Sequence, residues 1–163
     1  IAPGIDRYFD YQEFIFIDDN YHKMAKKEAM EAIDYDKKLN ILGSDVSGKA
    51  ISLAKNNAMN AGVEEDISFI TRDISSVTLK DDYGILITNP PYGQRLSDFD
   101  TNKIYEKINH IFKSKETWSL YFITSDESFD RRFRKKLSKK RKLYNGGQKV
   151  DFYQYYGKKP SKN

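Results

Sequence analysis

Hydrophobic and polar residues follow two periods along this chain. From Asn20 to Tyr35, the residues Tyr21, Met24, Ala25, Ala29, Ala32 and Ile33 recur every three to four positions, which predicts a helix. Ser47–Ala61 repeats the pattern with Ala50, Ile51, Ala54, Ala58 and Ala61 on one face, and Gly62 supplies a stop. Asn102–Phe112 does the same through Ile104, Tyr105, Ile108, Ile111 and Phe112. Between these segments lie the short apolar runs Leu39–Gly43, Ile67–Ile70, Gly84–Thr88 and Trp118–Thr124, which predict strands. Ile5–Ile17 is rich in aromatics with only weak alternation and reads as irregular. Ser128–Leu137 reads as a helix, Lys142–Tyr144 as a short strand and Asp151–Tyr156 as a final aromatic strand, whose tyrosines suit sheet packing better than base stacking. Strands that alternate with helices imply parallel pairing and an α/β sheet. In such sheets ligands collect at the carboxyl ends of the strands, so those loops are where chemistry is sought.

Composition narrows the class. The chain has 163 residues, enough for one ordinary domain, and no repeat or linker divides it, so residues 1–163 are read as one unit. Its longest apolar runs, such as Ile85–Ile87 and Leu120–Ile123, fall far below the roughly 18–20 residues of a membrane span. No apolar stretch near the start resembles a signal peptide. The chain reads as a soluble, cytoplasmic domain with no membrane partner. Its lack of cysteine excludes a disulfide framework, a thiolate zinc site and a cysteine nucleophile. With only His22 and His110, both on predicted helices away from the strand ends, a histidine-rich metal site is not expected.

Charge adds a partner. The net charge of +4 hides a run, Arg131–Lys142, in which nine of twelve residues are basic and none acidic; the remainder carries 19 basic and 24 acidic residues. Such a concentrated patch acts on polyanions as a diffuse charge cannot, although a solvated face is the plainer reading. Lysines and arginines in a run mostly meet phosphates, so Arg131, Arg132, Arg134, Lys135, Lys136, Lys139 and Lys140 are the candidate nucleic-acid contacts.

Three strand ends carry candidate chemistry. Asp45, after the strand ending near Gly43, is placed to accept hydrogen bonds from two ribose hydroxyls, and the neighbouring Val46 offers an apolar surface for an adenine. Equally, Asp45 or Ser47 can cap the helix that follows. Asp73, after Ile67–Ile70, can accept from an adenine amino group or simply form a turn. The most specific signal is Asn89-Pro90-Pro91-Tyr92, directly after Gly84–Thr88. Two prolines stiffen the loop and donate nothing, so the Asn89 side-chain oxygen and the Pro90 carbonyl can accept both hydrogens of an exocyclic amino group. Tyr92 offers a face on which an unstacked base can lie. The competing reading is a rigid turn opened by an asparagine.

The NPPY tetrapeptide, the SDV acid and the RD pair between them resemble motifs of S-adenosylmethionine-dependent amino-methyltransferases. The longer stretches IAPG, GSDVSGKAISLAKNNAMNAGV, ITNPPYGQRL and LYNGGQKVDFYQYYG resemble the large-subunit ribosomal RNA guanine-N2 methyltransferases, often labelled N6-adenine-specific DNA methylases because they share NPPY. This resemblance implies a Rossmann-like class I methyltransferase fold with a seven-stranded sheet and S-adenosylmethionine as cofactor. It also implies that Asp45 holds the cofactor ribose, Val46 packs on its adenine and Asp73 meets the adenine amino group. Asn89, Pro90, Pro91 and Tyr92 would form the catalytic loop, with Asn89 also facing the cofactor. Family members carry an N-terminal RNA-binding THUMP domain outside this stretch.

The family's glycine-rich loop is expected just before IAPG. The nine glycines, at positions 4, 43, 48, 62, 84, 93, 146, 147 and 157, form no G-x-G element between a strand and a helix. The chain, which opens Ile1-Ala2-Pro3-Gly4 without methionine, is therefore expected to lack the first strand and first helix. Alone it is expected to be catalytically inactive and to self-associate or to belong to a longer protein. The target by resemblance is guanine N2 of large-subunit rRNA. The alternatives are an N6-adenine DNA methyltransferase, a non-catalytic RNA-binding module, and a small-molecule or protein methyltransferase.

Overall fold

The structure is a computed structural model that describes residues 4–90 and 101–161. These residues fall into two compact units, divided between Thr71 and Arg72.

In the first unit, a turn and one 3-10 turn, Asp10–Glu13, precede helix α1 (Asp19–Glu31). The irregular reading of Ile5–Ile17 agrees with this. Asp18 caps α1 by accepting the Asn20 N–H at 2.9 Å. Strand β1 (Ile41–Asp45), helix α2 (Gly48–Asn60) and strand β2 (Ile67–Thr71) follow, and α2 packs on both strands. β1 and β2 run parallel, in register from Ile41↔Ile67 to Asp45↔Thr71. α2 turns its buried Ile51 and Ala58, two turns apart, toward one side. It stops as predicted: Gly62 takes φ +65°, its N–H reaches the Met59 carbonyl, and the Val63 N–H reaches that of Ala58. Those two bonds satisfy carbonyls that the helix end would otherwise leave open.

The second unit contains β3 (Gly84–Thr88), α3 (Thr101–Phe112), β4 (Trp118–Thr124), α4 (Phe129–Arg132), β5 (Lys139–Asn145) and β6 (Gln148–Tyr155). Its sheet has the order β3-β4-β6-β5. β3 and β4 are parallel, as expected, but β6 runs antiparallel to both β4 and β5. The parallel pairing expected of strands that alternate with helices does not extend to β5 and β6, because only a two-residue turn separates Asn145 from Gln148, and so short a link joins only antiparallel neighbours. Gly146 makes the turn at φ +61°.

The expected helix over Ser128–Leu137 is also corrected. α4 ends at Arg132 because Asn109 of α3 takes over the backbone beyond it. Asn109 Nδ2 donates to the Arg132 carbonyl at 2.9 Å, and its Oδ1 accepts the Arg134 N–H at 3.0 Å. The chain then runs on to β5, which is longer than the expected Lys142–Tyr144.

The core of this unit joins Tyr105, Ile108 and Phe112 of α3 to Leu120 and Phe122 of β4, with Phe129, Phe133, Tyr153 and Tyr155. Tyr153 and Tyr155 are buried and Tyr156 is exposed, so the first two pack the sheet as their sequence context indicates. Two glycines serve close approach. A Cβ at Gly43 would fall 2.8 Å from the ring of Phe69, its partner on β2, and one at Gly84 would fall 2.5 Å from Trp118 on β4. Each lets an aromatic side chain lie across the neighbouring strand. Among the described residues no helix is long and apolar enough to cross a membrane.

Candidate functional site

In the first unit, Asp45 is the last residue of β1 and stands at its carboxyl end. Its Oδ1 accepts the Ser47 N–H at 2.7 Å, and the Ser47 hydroxyl oxygen in turn accepts the Ala50 N–H at 3.3 Å. Ser47 is thus the cap of α2, and Asp45 is pinned by one oxygen while Oδ2 takes no part in that bond. Val46 between them is exposed. A Cβ added at Gly48, the first helical residue, would meet only the Thr71 hydroxyl, at 3.9 Å. The β1–α2 turn therefore presents a fixed carboxylate, an apolar side chain and an open helix start.

In the second unit, Asp73 caps a 3-10 turn, Ile74–Ser76. Its Oδ1 accepts the Ser75 N–H at 2.8 Å, the Ser75 hydroxyl at 2.5 Å and the Lys107 ammonium at 2.6 Å. Lys107 first, and then Ser75, hold this carboxyl well below the usual carboxylate range. Lys107 escaped the sequence reading. It lies on α3 between the core positions Tyr105 and Ile108, and nothing in the pattern marks it as anything but a solvated lysine.

The ion pair carries a pH prediction. A depressed carboxyl stabilises the fold above its unfolded value, about 3.9. That contribution is lost as pH falls below this value toward the lower folded one. Lys107→Met is expected to move the Asp73 titration, followed by carboxyl NMR, up toward the ordinary range. The stability gap from the parent chain should be widest above about pH 5 and close under acid. Both side chains are partly exposed, so water screens the pair and the gap is small. An unmoved Asp73 titration in the variant would refute the assignment.

At the carboxyl end of β3, Asn89 is exposed and Pro90 is buried. Pro91 and Tyr92 lie outside the described residues. β3 and β4 are parallel, so Asn89 stands at the edge where both strands end.

The basic run is sorted by its contacts. Arg132 donates to Asn102 Oδ1 at 2.6 Å, lies 3.7 Å from Asp126 Oδ2 and sits over the Tyr105 ring. Lys135 donates to the carbonyls of Lys115 and Trp118 and lies over Phe112; burial lowers its pKa. Lys140 pairs at 3.1 Å with Asp151, which is 3% exposed. These three are engaged in holding the fold. Arg131, Arg134, Lys136 and Lys139 are exposed.

The histidines serve elsewhere: His22 Nδ1 meets the Tyr11 hydroxyl at 2.5 Å, and His110 lines an open cleft of about 540 Å³ beside α3. Among the described residues no group of three or more His, Asp or Glu is placed to hold a metal.

Comparison with known proteins adds the family. The model of the RMKL-like methyltransferase domain matches residues 1–154. YpsC of Bacillus subtilis strain 168, a candidate RNA methyltransferase, is 36% identical over 97% of this chain, which covers 41% of YpsC. The ribosomal RNA large subunit methyltransferase K/L of Shewanella woodyi is 32% identical over 95% of this chain and 23% of its own length. The crystal structure of SMU.472, a candidate methyltransferase complexed with SAH, superposes with a TM-score of 0.83 and 37% identity, covering 99% of this chain and 43% of that one. The chain thus spans about two fifths or less of the length of these relatives. Its parallel strand pairs and intervening helices are those of a Rossmann-like class I methyltransferase fold. With the fold and the match over residues 1–154 in agreement, the chain belongs to the RMKL-like methyltransferase domain family.

Proposed function

We propose that residues 1–163 form part of a methyltransferase catalytic domain that methylates an exocyclic amino nitrogen of a nucleobase, with guanine N2 of large-subunit ribosomal RNA as the target. The observation that carries this reading is the placement of Asn89 and Pro90. An exposed amide stands just beyond the carboxyl end of β3 with a buried proline behind it, at the head of Asn89-Pro90-Pro91-Tyr92. The names of the Bacillus and Shewanella relatives support RNA as the substrate class.

Taken one unit at a time, the residues present offer groups of the kind that S-adenosylmethionine needs. Asp45 keeps one oxygen outside its internal bond for the ribose hydroxyls, and exposed Val46 offers apolar surface for the adenine. Asp73 uses only Oδ1 for Ser75 and Lys107, leaving Oδ2 for the adenine amino group. When bound, the cofactor supplies an electrophilic methyl carbon on a sulfonium. Asn89 Oδ1 and the Pro90 carbonyl accept the two amino hydrogens, which draws the nitrogen lone pair out of conjugation and aims it for in-line attack. The same two oxygens stabilise the positive charge that grows on nitrogen as the N–C bond forms and the C–S bond breaks. The alkylated nitrogen then releases one proton to water, so no strong base is needed. Tyr92 holds the base by its face.

Transfer assays on matched RNA and DNA oligonucleotides, run with a protein of the relatives' full length, test the target. Methylation of RNA guanine is expected; methylation confined to DNA adenine would overturn the reading. The cofactor half has its own test. Asp45→Asn keeps an oxygen for the Ser47 N–H but removes the charge, so thermal stability should hold while S-adenosylhomocysteine binding weakens roughly 10–100-fold by calorimetry. Unchanged affinity would remove Asp45 from the cofactor site.

A further inference from the structure

Internal contacts absorb only part of the basic run. Arg132, Lys135 and Lys140 have internal partners, whereas the side chains of Lys139, Arg141 and Lys142 are exposed and make no hydrogen bond, ion pair or ring contact among the described residues. All three lie on β5, the outermost strand of its sheet, whose seven residues are all exposed. Strand alternation puts Lys139 and Arg141 on one face and Lys142 and Tyr144 on the other. Like charges two residues apart on one face sit about 7 Å from each other and repel. Lysine on an outer strand also guards against edge-to-edge pairing, but a charge or two suffices for that. Four consecutive cations, Lys139 to Lys142, exceed it, and only one of them, Lys140, finds a carboxylate. A polyanion along the edge would relieve the repulsion of the others.

The strand also carries a flat aromatic surface. Tyr144 is 77% exposed and is separated from the Gly146-Gly147 turn by Asn145 alone. Free cations followed by an exposed ring match the requirements of single-stranded nucleic acid, which combines phosphate contacts with base stacking. A duplex keeps its bases stacked and offers Tyr144 nothing to lie on.

We propose that β5 is a docking strand for single-stranded RNA, in which Lys139, Arg141 and Lys142 meet phosphates and Tyr144 stacks on an unpaired base. This rests on the reading of the protein as one that acts on RNA. It adds an open strand edge to the exposed Arg131, Arg134 and Lys136 of the first half of the basic run.

The test is fluorescence anisotropy of the 163-residue chain with a labelled single-stranded RNA of about 12 nucleotides across a salt series. The variant K139S/R141S/K142S is expected to bind on the order of 100-fold more weakly at about 0.1 M salt, with a salt slope smaller by about 2. K139R/K142R should retain the parent affinity, because phosphates read charge, and Y144A should lose roughly 10-fold. K23S/K37S/K38S removes the same net charge from exposed positions of the first unit and is expected to leave affinity within about twofold. Equal losses in the two triple variants would mean that net charge alone attracts the RNA, and would overturn the proposal. So would undiminished binding in the β5 triple, or tighter binding to a duplex of the same sequence. No cofactor enters the measurement. A parent chain that holds no RNA therefore defeats this inference and leaves the cofactor titration to stand by itself.

Discussion

Phe129→Ala is expected to cost about 3–5 kcal/mol of folding stability, read as a lower midpoint in urea denaturation. Phe129 is fully buried and is the hub of the second unit's core. Its ring stacks on Phe122 at 4.0 Å with only 4° between planes, and Tyr105, Phe133, Tyr153 and Tyr155 surround it with centroids 4.9–6.2 Å away. Truncation leaves a cavity that five large side chains, themselves packed on a sheet and a helix, cannot close. A domain stable by roughly 5–15 kcal/mol loses a large share of its margin in that one change. Phe16→Ala gives the contrast: that ring is 84% exposed, and its loss should stay within about 0.5 kcal/mol. A cost below about 1 kcal/mol at Phe129 would show that α4 is not anchored through this ring.

Asn89→Ala is the second large effect, on turnover: kcat for methyl transfer should fall roughly 100- to 1,000-fold in a protein of the relatives' full length. Alanine removes the side-chain oxygen that accepts one amino hydrogen, and the Pro90 carbonyl, which accepts the other, cannot take its place. Asn89 is exposed at the strand end, so the substitution leaves the packing of β3 intact and unfolding is not the cause of the loss. The sharper readout is single-turnover transfer at saturating RNA and cofactor, where binding no longer limits the rate. Normal turnover in the variant would sink the proposed mechanism. A loss confined to cofactor affinity would leave Asn89 as a binding residue only.

Much of this architecture is legible in single stretches. Gly84–Thr88 and Trp118–Thr124 are strands with the limits that the sequence predicts, because uninterrupted apolar runs bounded by polar residues have few other ways to bury themselves. The stop at Gly62 is equally local, since a left-handed residue there closes α2 by itself. The sorting of the basic run is not local. Arg132, Lys135 and Lys140 resemble their neighbours in sequence, yet each finds its partner elsewhere, at Asn102, Lys115 and Asp151 respectively. Nor does periodicity show that Asn109 halts α4, for its partners lie 23 and 25 residues ahead.

By itself the sequence determined the α/β class, most strand and helix positions and the strand-end residues Asp45, Asp73 and Asn89, because periodicity, glycine stops and loop motifs act over a few residues. Only the tertiary structure decided the antiparallel turn back of β5 and β6, the pairing of Asp73 with Lys107 and which cations stay free. Those outcomes depend on which distant groups the folded chain brings within about 3 Å of one another, and hydrogen bonds and ion pairs at that range reflect proximity in space rather than order along the chain.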